Sequence, residues 1–406
     1  MRKSMTARVI SALFLCLALA ACAPAQASPP AALPTRPPAA TVIVPTATTA
    51  ASPTASATQT VTPAPAVTPD FPPEGYGPSA FPAGINPLTG QKVDPASLAR
   101  RPLLIKVENL PRNHRPQFGL NRADLVFEYY TEEGTTRFAA LFYGQDSPQV
   151  APIRSARWFD MHLVRMYKAV FVYGGAYTRL WDRLVSSDFG KRLVVEGVNS
   201  CPALCRYDPN GDNLLSANTG EMAAYLQQRG IDNSPQDANL DGMFFQQQIP
   251  PAGEPGMQLY ARYSGAIYNR WDYDAQTGVY LRFADTQDDL SRTNEVYAPL
   301  TDRIDGAQIS ASNVVVILAP HIHPDPNAST EVVDINLTGS GPAYLFRDGQ
   351  VFAVQWQRAE IESVLRLADV YGQPVAFKPG RTWFEVMGQS SKVQPGDAWR
   401  FEHVYP

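Results

Sequence analysis

The sequence predicts an α+β domain over 71–250, a mixed sheet with flanking helices, packed closely against a β-rich domain over 256–406. Three observations predict this. Runs that alternate apolar and polar residues occur on both sides of residue 250. Helical spacing of apolar residues is confined to the first half. Between them lies "QQQIPPAGEPG", 246–256, a stretch of turn residues that reads as an interdomain break.

The first seventy residues stand apart. Arg2, Lys3 and Arg8 precede the apolar run "VISALFLCLALAA", which is too short to span a bilayer and has the form of a secretory signal, 1–21. It ends in "LAAC", small residues before Cys22, which resembles a bacterial lipobox. Cys22 would then carry fatty-acyl chains such as palmitate and become the mature N-terminus. Cleavage near "APAQAS" as an ordinary signal peptide is the other reading. Residues 22–70 are Pro, Ala, Thr and Ser with almost no charge, so they cannot bury enough surface to order and read as a disordered, extended linker. These features predict an exported protein tethered to the outer face of the cell membrane, or to an outer membrane if the organism has one.

The first seventy residues hold four basic side chains and one acidic, of 34 and 38 in all, which leaves 30 basic against 37 acidic in the remainder. With no basic tract, nucleic-acid binding is not expected. Of the four cysteines, Cys16 leaves with the signal and Cys22 takes the lipid. Cys201 and Cys205, in "NSCPALCRY", read as a local disulfide or as two free thiols.

In chain order, "PLLIKVENL", "ADLVFEYY" and "TTRFAALFY" are strands, the last two joined by a hairpin-type turn at Gly134. Ser155 is placed to cap a helix carrying Phe159, Leu163, Met166 and Val170. "AVFVYGGA" is a buried strand leaving through two glycines, and "TRLWDRLVSS" and "TGEMAAYLQQRG" are helices. Thr219 is the expected cap of the second and Gly230 its stop. Beyond 256, "GVYLRFAD", "NVVVILAPHIH", "GSGPAYLFRDGQVFAVQW" and "RTWFEVM" are strand-like.

The chemistry-bearing candidates are few. Arg137, Arg154 and Arg157 cluster near the third strand and the start of the first helix, where guanidinium groups suit phosphate or carboxylate capture. Asp124, Glu128, Glu133 and Asp160 lie in the same elements, so an internal ion-pair network is the competing reading. The "HIH" of His321 and His323 has strand spacing that metal sites use, but no third ligand is near, and no metal is expected. Asp237, Asn239 and Asp241 match the opening of a calcium loop, but Gln248 stands at the twelfth position. Tyr173, Tyr177, Trp181 and Trp271 are core residues or sugar-stacking platforms. No nucleophile elbow, phosphate loop or dinucleotide fingerprint is present, so no catalytic residue is named and no cofactor is expected.

The blocks "NPLTG", "RPQFGLNRADLVFE", "EEGTTRF" and "PIRSAR", followed by "GVYLRF", "NVVV", "GSGPAYLFRDG" and "PGRTW", resemble the YerB-like lipoprotein family. This is a bacterial domain of unknown function with a distinct C-terminal companion, and the likeness covers most of 84–406. Glu108, Phe118 and Ala151 depart from the family pattern. The resemblance implies location and architecture and supplies no activity. "RADLVF", "PIRSAR" and "AVFVYGG" are also similar in order to blocks of LytR-CpsA-Psr phosphotransferases, which would give Asp124 the acidic role and Arg154 or Arg157 a pyrophosphate grip. The expected function is therefore a non-catalytic envelope lipoprotein. It would bind an envelope polymer, such as a glycopolymer, or a partner protein through the face around Arg137, Arg154, Arg157, Asp124 and Glu128. The alternative is an enzyme acting on anionic polyprenyl-linked or glycan precursors.

Overall fold

Strands from the two halves of the sequence interleave within one sheet. The computed structural model describes residues 71–207, 212–235, 238–325, 327 and 329–404. The expected signal, Cys22 and the 22–70 linker lie outside the described residues, as does Asp237. The first half supplies β1 (Leu103–Glu108), β2 (Leu125–Tyr130), β3 (Thr136–Phe142), helix α1 (Asp160–Tyr167), β4 (Val170–Val172), helix α2 (Thr178–Val185), β5 (Leu193–Val194), the pair β6 (Leu204–Tyr207) and β7 (Leu214–Ala217), and helix α3 (Thr219–Gln228). The second half is all strand: β8 (Glu254–Pro255), β9 (Gln258–Arg262), β10 (Tyr268–Asp274), β11 (Val279–Asp285), β12 (Tyr297–Pro299), β13 (Ser310–Ala311), β14 (Asn313–Ala319), β15 (His321–Ile322), β16 (Asp334–Ile335), β17 (Gly339–Arg347), β18 (Gln350–Arg358), β19 (Arg366–Ala368), β20 (Thr382–Gly388), β21 (Lys392–Gln394) and β22 (Trp399–Glu402).

The larger sheet has eleven strands in the order β19-β18-β17-β14-β20-β2-β3-β1-β4-β5, with β8 beside β18. The smaller has seven, β12-β11-β10-β9-β22-β21 with β13 beside β11. Strand β20 is buried at every residue and runs parallel to β14 on one side and to β2 on the other. The close packing expected between the two halves is thus continuous backbone hydrogen bonding. The turn-rich 246–256 stretch does not separate them, for Gln246 N–H donates to Phe377 O (3.0 Å) and β8 pairs with β18. Among the described residues no helix is long and apolar enough to cross a membrane.

Local structure follows the sequence closely in the first half, with two shifts. The β2–β3 hairpin turns at Gly134, whose φ of +77° lies in the left-handed region that favours glycine. Helix α1 runs from Asp160 rather than from behind Ser155 and ends at Tyr167, so of its expected apolar positions Phe159 flanks it and Val170 belongs to β4. The chain ahead of it cannot wind, because Arg154 N–H donates to Lys106 O (3.0 Å) and Ala156 N–H to Gly175 O (2.8 Å). In α3 the cap is Asn218, whose side chain accepts from Gly220 N–H, and Thr219 is the first helical residue. Gly230 closes that helix at φ +64°.

Alternation along the strands assigns the faces. Lys106, Tyr129 and Arg137 point toward α1, where Phe159 packs edge-on against Tyr129 with centroids 4.7 Å apart. Glu128, Thr136 and Phe138 point the other way, toward the smaller sheet. There Arg282 of β11 reaches between two carboxylates: its Nη2 donates to Glu128 (2.5 Å) and its Nη1 to Glu385 (3.0 Å), with all three side chains essentially solvent-free. Trp271 Nε1 and Tyr263 Oη also donate to Glu385 (2.9 and 3.0 Å), while Asn109 and Thr136 donate to Glu128 (3.1 and 2.8 Å). The Arg282 guanidinium lies 4.5 Å from the Trp383 ring centroid. Burial, opposed by Arg282 and reinforced by Glu385, raises the pKa of Glu128. Removing one member of such a buried set leaves charges uncompensated. Arg282→Met should lower folding stability by about 3–5 kcal/mol, read by urea denaturation. A loss below about 1 kcal/mol would show that the clasp adds little.

Candidate functional site

The three predicted arginines do come together, at the end of the larger sheet where β1 finishes and β3 starts. Arg137, opposite Glu108 and Tyr129 in the sheet register, donates from Nη1 to Ser155 O (2.7 Å) and approaches Glu132 Oε1 at 3.4 Å. Arg157 holds the same Glu132 with both arms, Nε to Oε2 at 2.5 Å and Nη2 to Oε1. Arg154 pairs with Glu108, which also takes the His114 ring at 2.7 Å. Arg137 and Arg157 thus share one carboxylate. Burial, then the Arg157 charge beside it, pulls Arg137 down to about 10.

The carboxylates that pair with these guanidinium groups are Glu108 and Glu132, not the predicted Asp124, Glu128, Glu133 or Asp160. Glu128 lies on the opposite face of β2, in the Arg282 clasp. Asp124 precedes the other end of β2, five residues before the register position of Arg137, or about 16 Å along the strand. Its oxygens accept from Asn86 Nδ2 (2.7 Å), Tyr143 N–H (2.6 Å) and Gly144 N–H (3.1 Å), and burial holds its pKa near 6. The acidic and basic roles suggested by the phosphotransferase-like blocks are therefore not assembled at one place.

Beneath the arginines the predicted Asp160 joins two residues that the sequence did not single out, Lys106 and Tyr129. Lys106, Tyr129 and Asp160 are buried and mutually bonded, with Lys106 Nζ 3.2 Å from Asp160 Oδ1. Burial pulls Lys106 down to about 7 against the attraction of Asp160, and pushes Tyr129 up. The other Asp160 oxygen accepts the backbone N–H of Arg157 (2.6 Å) and so fixes the arginine at the mouth of the site. An apolar-looking strand hides Lys106, and only its alternation with Leu104 and Glu108 marks its face.

Arg157 and Glu132 open onto a cleft of about 730 Å³ that both halves of the chain line. Trp158, Tyr177, Thr178 and Arg179 form one wall, and Asp325 and residues 329–333 the other. Arg179 pairs with Asp325 across it, and Glu331 accepts from Tyr130 Oη (2.9 Å) and Glu133 N–H (2.5 Å). Trp158 Nε1 donates to Tyr177 Oη. Of the four aromatics singled out, Tyr173 and Trp271 are core, while Tyr177 and Trp181 are exposed.

The remaining candidates lie elsewhere. The Cα atoms of Cys201 and Cys205 are 5.0 Å apart with the sulfurs facing, within disulfide reach. Asn239 and Asp241 hold a turn, Asn239 Oδ1 accepting from Asp241 N–H (2.8 Å), and no group of metal-ligating side chains occurs among the described residues. His321 is buried, with its Nδ1 3.0 Å from Ala319 O, whereas His323 is partly exposed. The His321 ring is 5.0 Å from that of His403, whose Nδ1 accepts from Gly388 N–H (3.0 Å) and which stacks on Tyr130. Gly388 N–H leaves His403 neutral with its proton on Nε2, and the Ala319 carbonyl takes the Nδ1 proton of His321. Burial lowers His321 to about 4; burial and then His321 lower His403 to about 3. The unfolded chain takes up protons near 6.5, so this contribution is full above about pH 6.5 and is lost as pH falls toward 4. Asp124, raised to about 6, acts in the opposite sense, so the informative measurement is a difference. His403→Gln keeps an acceptor and a donor but cannot titrate. The melting-temperature advantage of the wild type over it should shrink between pH 7 and about pH 4.5, and a constant gap would refute the assignment.

With this geometry in place, comparison with known proteins becomes informative. The model for the N-terminal domain of a protein of unknown function (DUF3048) matches residues 88–209, and that for its C-terminal domain matches 259–384. The chain is 28% identical over 305 residues to "Putative lipoprotein YerB" of Bacillus subtilis (strain 168), covering 74% of this chain and 85% of that protein. The crystal structure of the YerB protein from Bacillus subtilis superposes with a TM-score of 0.62 at 25% identity, covering 74% of this chain and 96% of that one. With both domains matched in order and the fold shared, the chain belongs to this YerB-like, two-part family of unknown function.

Proposed function

We propose that the protein is a non-catalytic envelope lipoprotein, held at the membrane through Cys22, that binds an envelope polymer in the cleft beside Arg137, Arg154 and Arg157. The observation that carries this is the cleft itself: about 730 Å³, with an exposed tyrosine on its rim and a fixed Arg157–Glu132 pair at its mouth. Small-ligand sites combine such aromatic surface with a few oriented polar groups. The name of the Bacillus relative supports the anchor. The arginines then act as a frame: Arg154 pairs with Glu108, Arg137 and Arg157 share Glu132, and the latter two also hold the Ser155 carbonyl. The phosphotransferase-like alternative draws no support from geometry in which Arg154 and Arg157 pair with Glu108 and Glu132 while Asp124 precedes the far end of β2.

Two measurements test this reading. Cys22→Ser should move the exported protein from the membrane fraction to the soluble one; unchanged fractionation would refute the anchor. The purified protein should co-sediment with insoluble envelope polymer stripped of protein. Arg157→Gln should weaken that binding about tenfold, since a charge-assisted pair that shapes the cleft is lost. A wild-type protein that stays in the supernatant refutes the reading.

A further inference from the structure

Helix α2 carries two apolar faces. Leu180 and Leu184 point into the core and are fully buried. Tyr177, Trp181 and Val185 recur every fourth position, and they are 39%, 36% and 53% exposed. Single exposed apolar residues are ordinary, but residues four apart are neighbours on a helix, so these three form a continuous stripe. Its Tyr177 end lies on the rim of the cleft.

The two rings of the stripe are held rather than free. Tyr177 takes the indole N–H of buried Trp158, over whose ring the Arg183 guanidinium lies at 4.8 Å. Trp181 leans on buried Tyr173, with centroids 6.1 Å apart. Pre-ordered rings lose little entropy on binding. They present flat apolar surface beside the exposed hydroxyls of Thr178, Ser329 and Thr330 and the ion pairs of the cleft. That combination matches a pyranose, which has an apolar C–H face and a rim of hydroxyls. Two rings about one helical turn apart suit consecutive units of a linear chain.

Charge selects the class of glycan. Glu132, Glu133, Asp325 and Glu331 line the cleft against Arg157 and Arg179, so its lining is net negative and disfavours a polyanion or an anionic lipid surface. We propose that the Tyr177–Trp181 stripe and the adjoining cleft bind an uncharged linear glycan, with successive sugars stacked on Tyr177 and Trp181. This deepens the polymer-binding reading and rests on it.

The test uses a soluble hexamer of β-linked N-acetylglucosamine as the uncharged probe and polyglycerol phosphate as the charged one. The wild type should bind the hexamer with an affinity that barely changes as salt is raised several-fold. Tyr177→Ala and Trp181→Ala should each weaken it about tenfold, measured below the melting temperature of each variant because both rings also pack on Trp158 and Tyr173. Tyr371→Ala, which removes an exposed ring distant in sequence, should leave it unchanged. The inference is overturned if the hexamer does not bind, if the double variant Tyr177→Ala with Trp181→Ala binds it as the wild type does, or if polyglycerol phosphate binds more tightly. Co-sedimentation separates the two levels. If wild type and double variant both still sediment with envelope polymer, polymer binding stands and the stacked-glycan inference falls. If the wild type does not sediment, the underlying reading falls.

Discussion

The structure turns on Arg282. Glu128 of β2 and Glu385 of β20 stand directly opposite each other in the parallel register, both buried. Two like charges so placed repel across a strand pair, and in a solvent-free interior the repulsion is larger still. The guanidinium of β11 enters from the other sheet and bonds both carboxylates at once. One cation thereby makes the β2–β20 pairing tolerable and also joins the seven-stranded sheet to the eleven-stranded one. Trp271, Trp383 and Phe138 surround it and keep water away, which strengthens every contact in the group.

The same strands then build the opposite face. Because side chains alternate, the residues next to the clasp point toward α1: Tyr129 follows Glu128, and Arg137 follows Thr136. The buried Lys106–Tyr129–Asp160 group fixes the start of α1, and Asp160 in turn fixes the backbone of Arg157. From the clasp to the mouth of the cleft the contacts run without a gap, so the position of Trp158 and Tyr177 is set by a rigid sheet rather than by loops alone. Rigid support of this kind is what a preformed binding surface requires.

Much of this was legible in sequence, and the failures have physical causes. The strands from 103 to 142, their hairpin at Gly134 and helices α2 and α3 follow from local periodicity and turn chemistry. The place of β20 did not, because pairing with β2 leaves no local trace in "RTWFEVM". The arginines were found, but their partners were misassigned: adjacent residues of a strand face opposite ways, so Glu128 cannot serve Arg137 while Glu132, in the turn, can. Ser155 lost its expected cap role to backbone bonds with Lys106 and Gly175 that only the folded chain supplies. Tyr177 and Trp181 differ from Tyr173 and Trp271 by which side of their elements meets the core, a tertiary fact.

The position of β20 also bears on how the protein is made. A chain made from its N-terminus delivers β2 about 250 residues ahead of Thr382–Gly388. Until then the β2 edge that β20 covers has no partner, so the eleven-stranded sheet cannot close. Contacts this far apart in sequence make folding slow. Arrival of Thr382–Gly388 is therefore what closes the larger sheet, and a chain truncated before residue 382 would be left with an open, adhesive sheet edge.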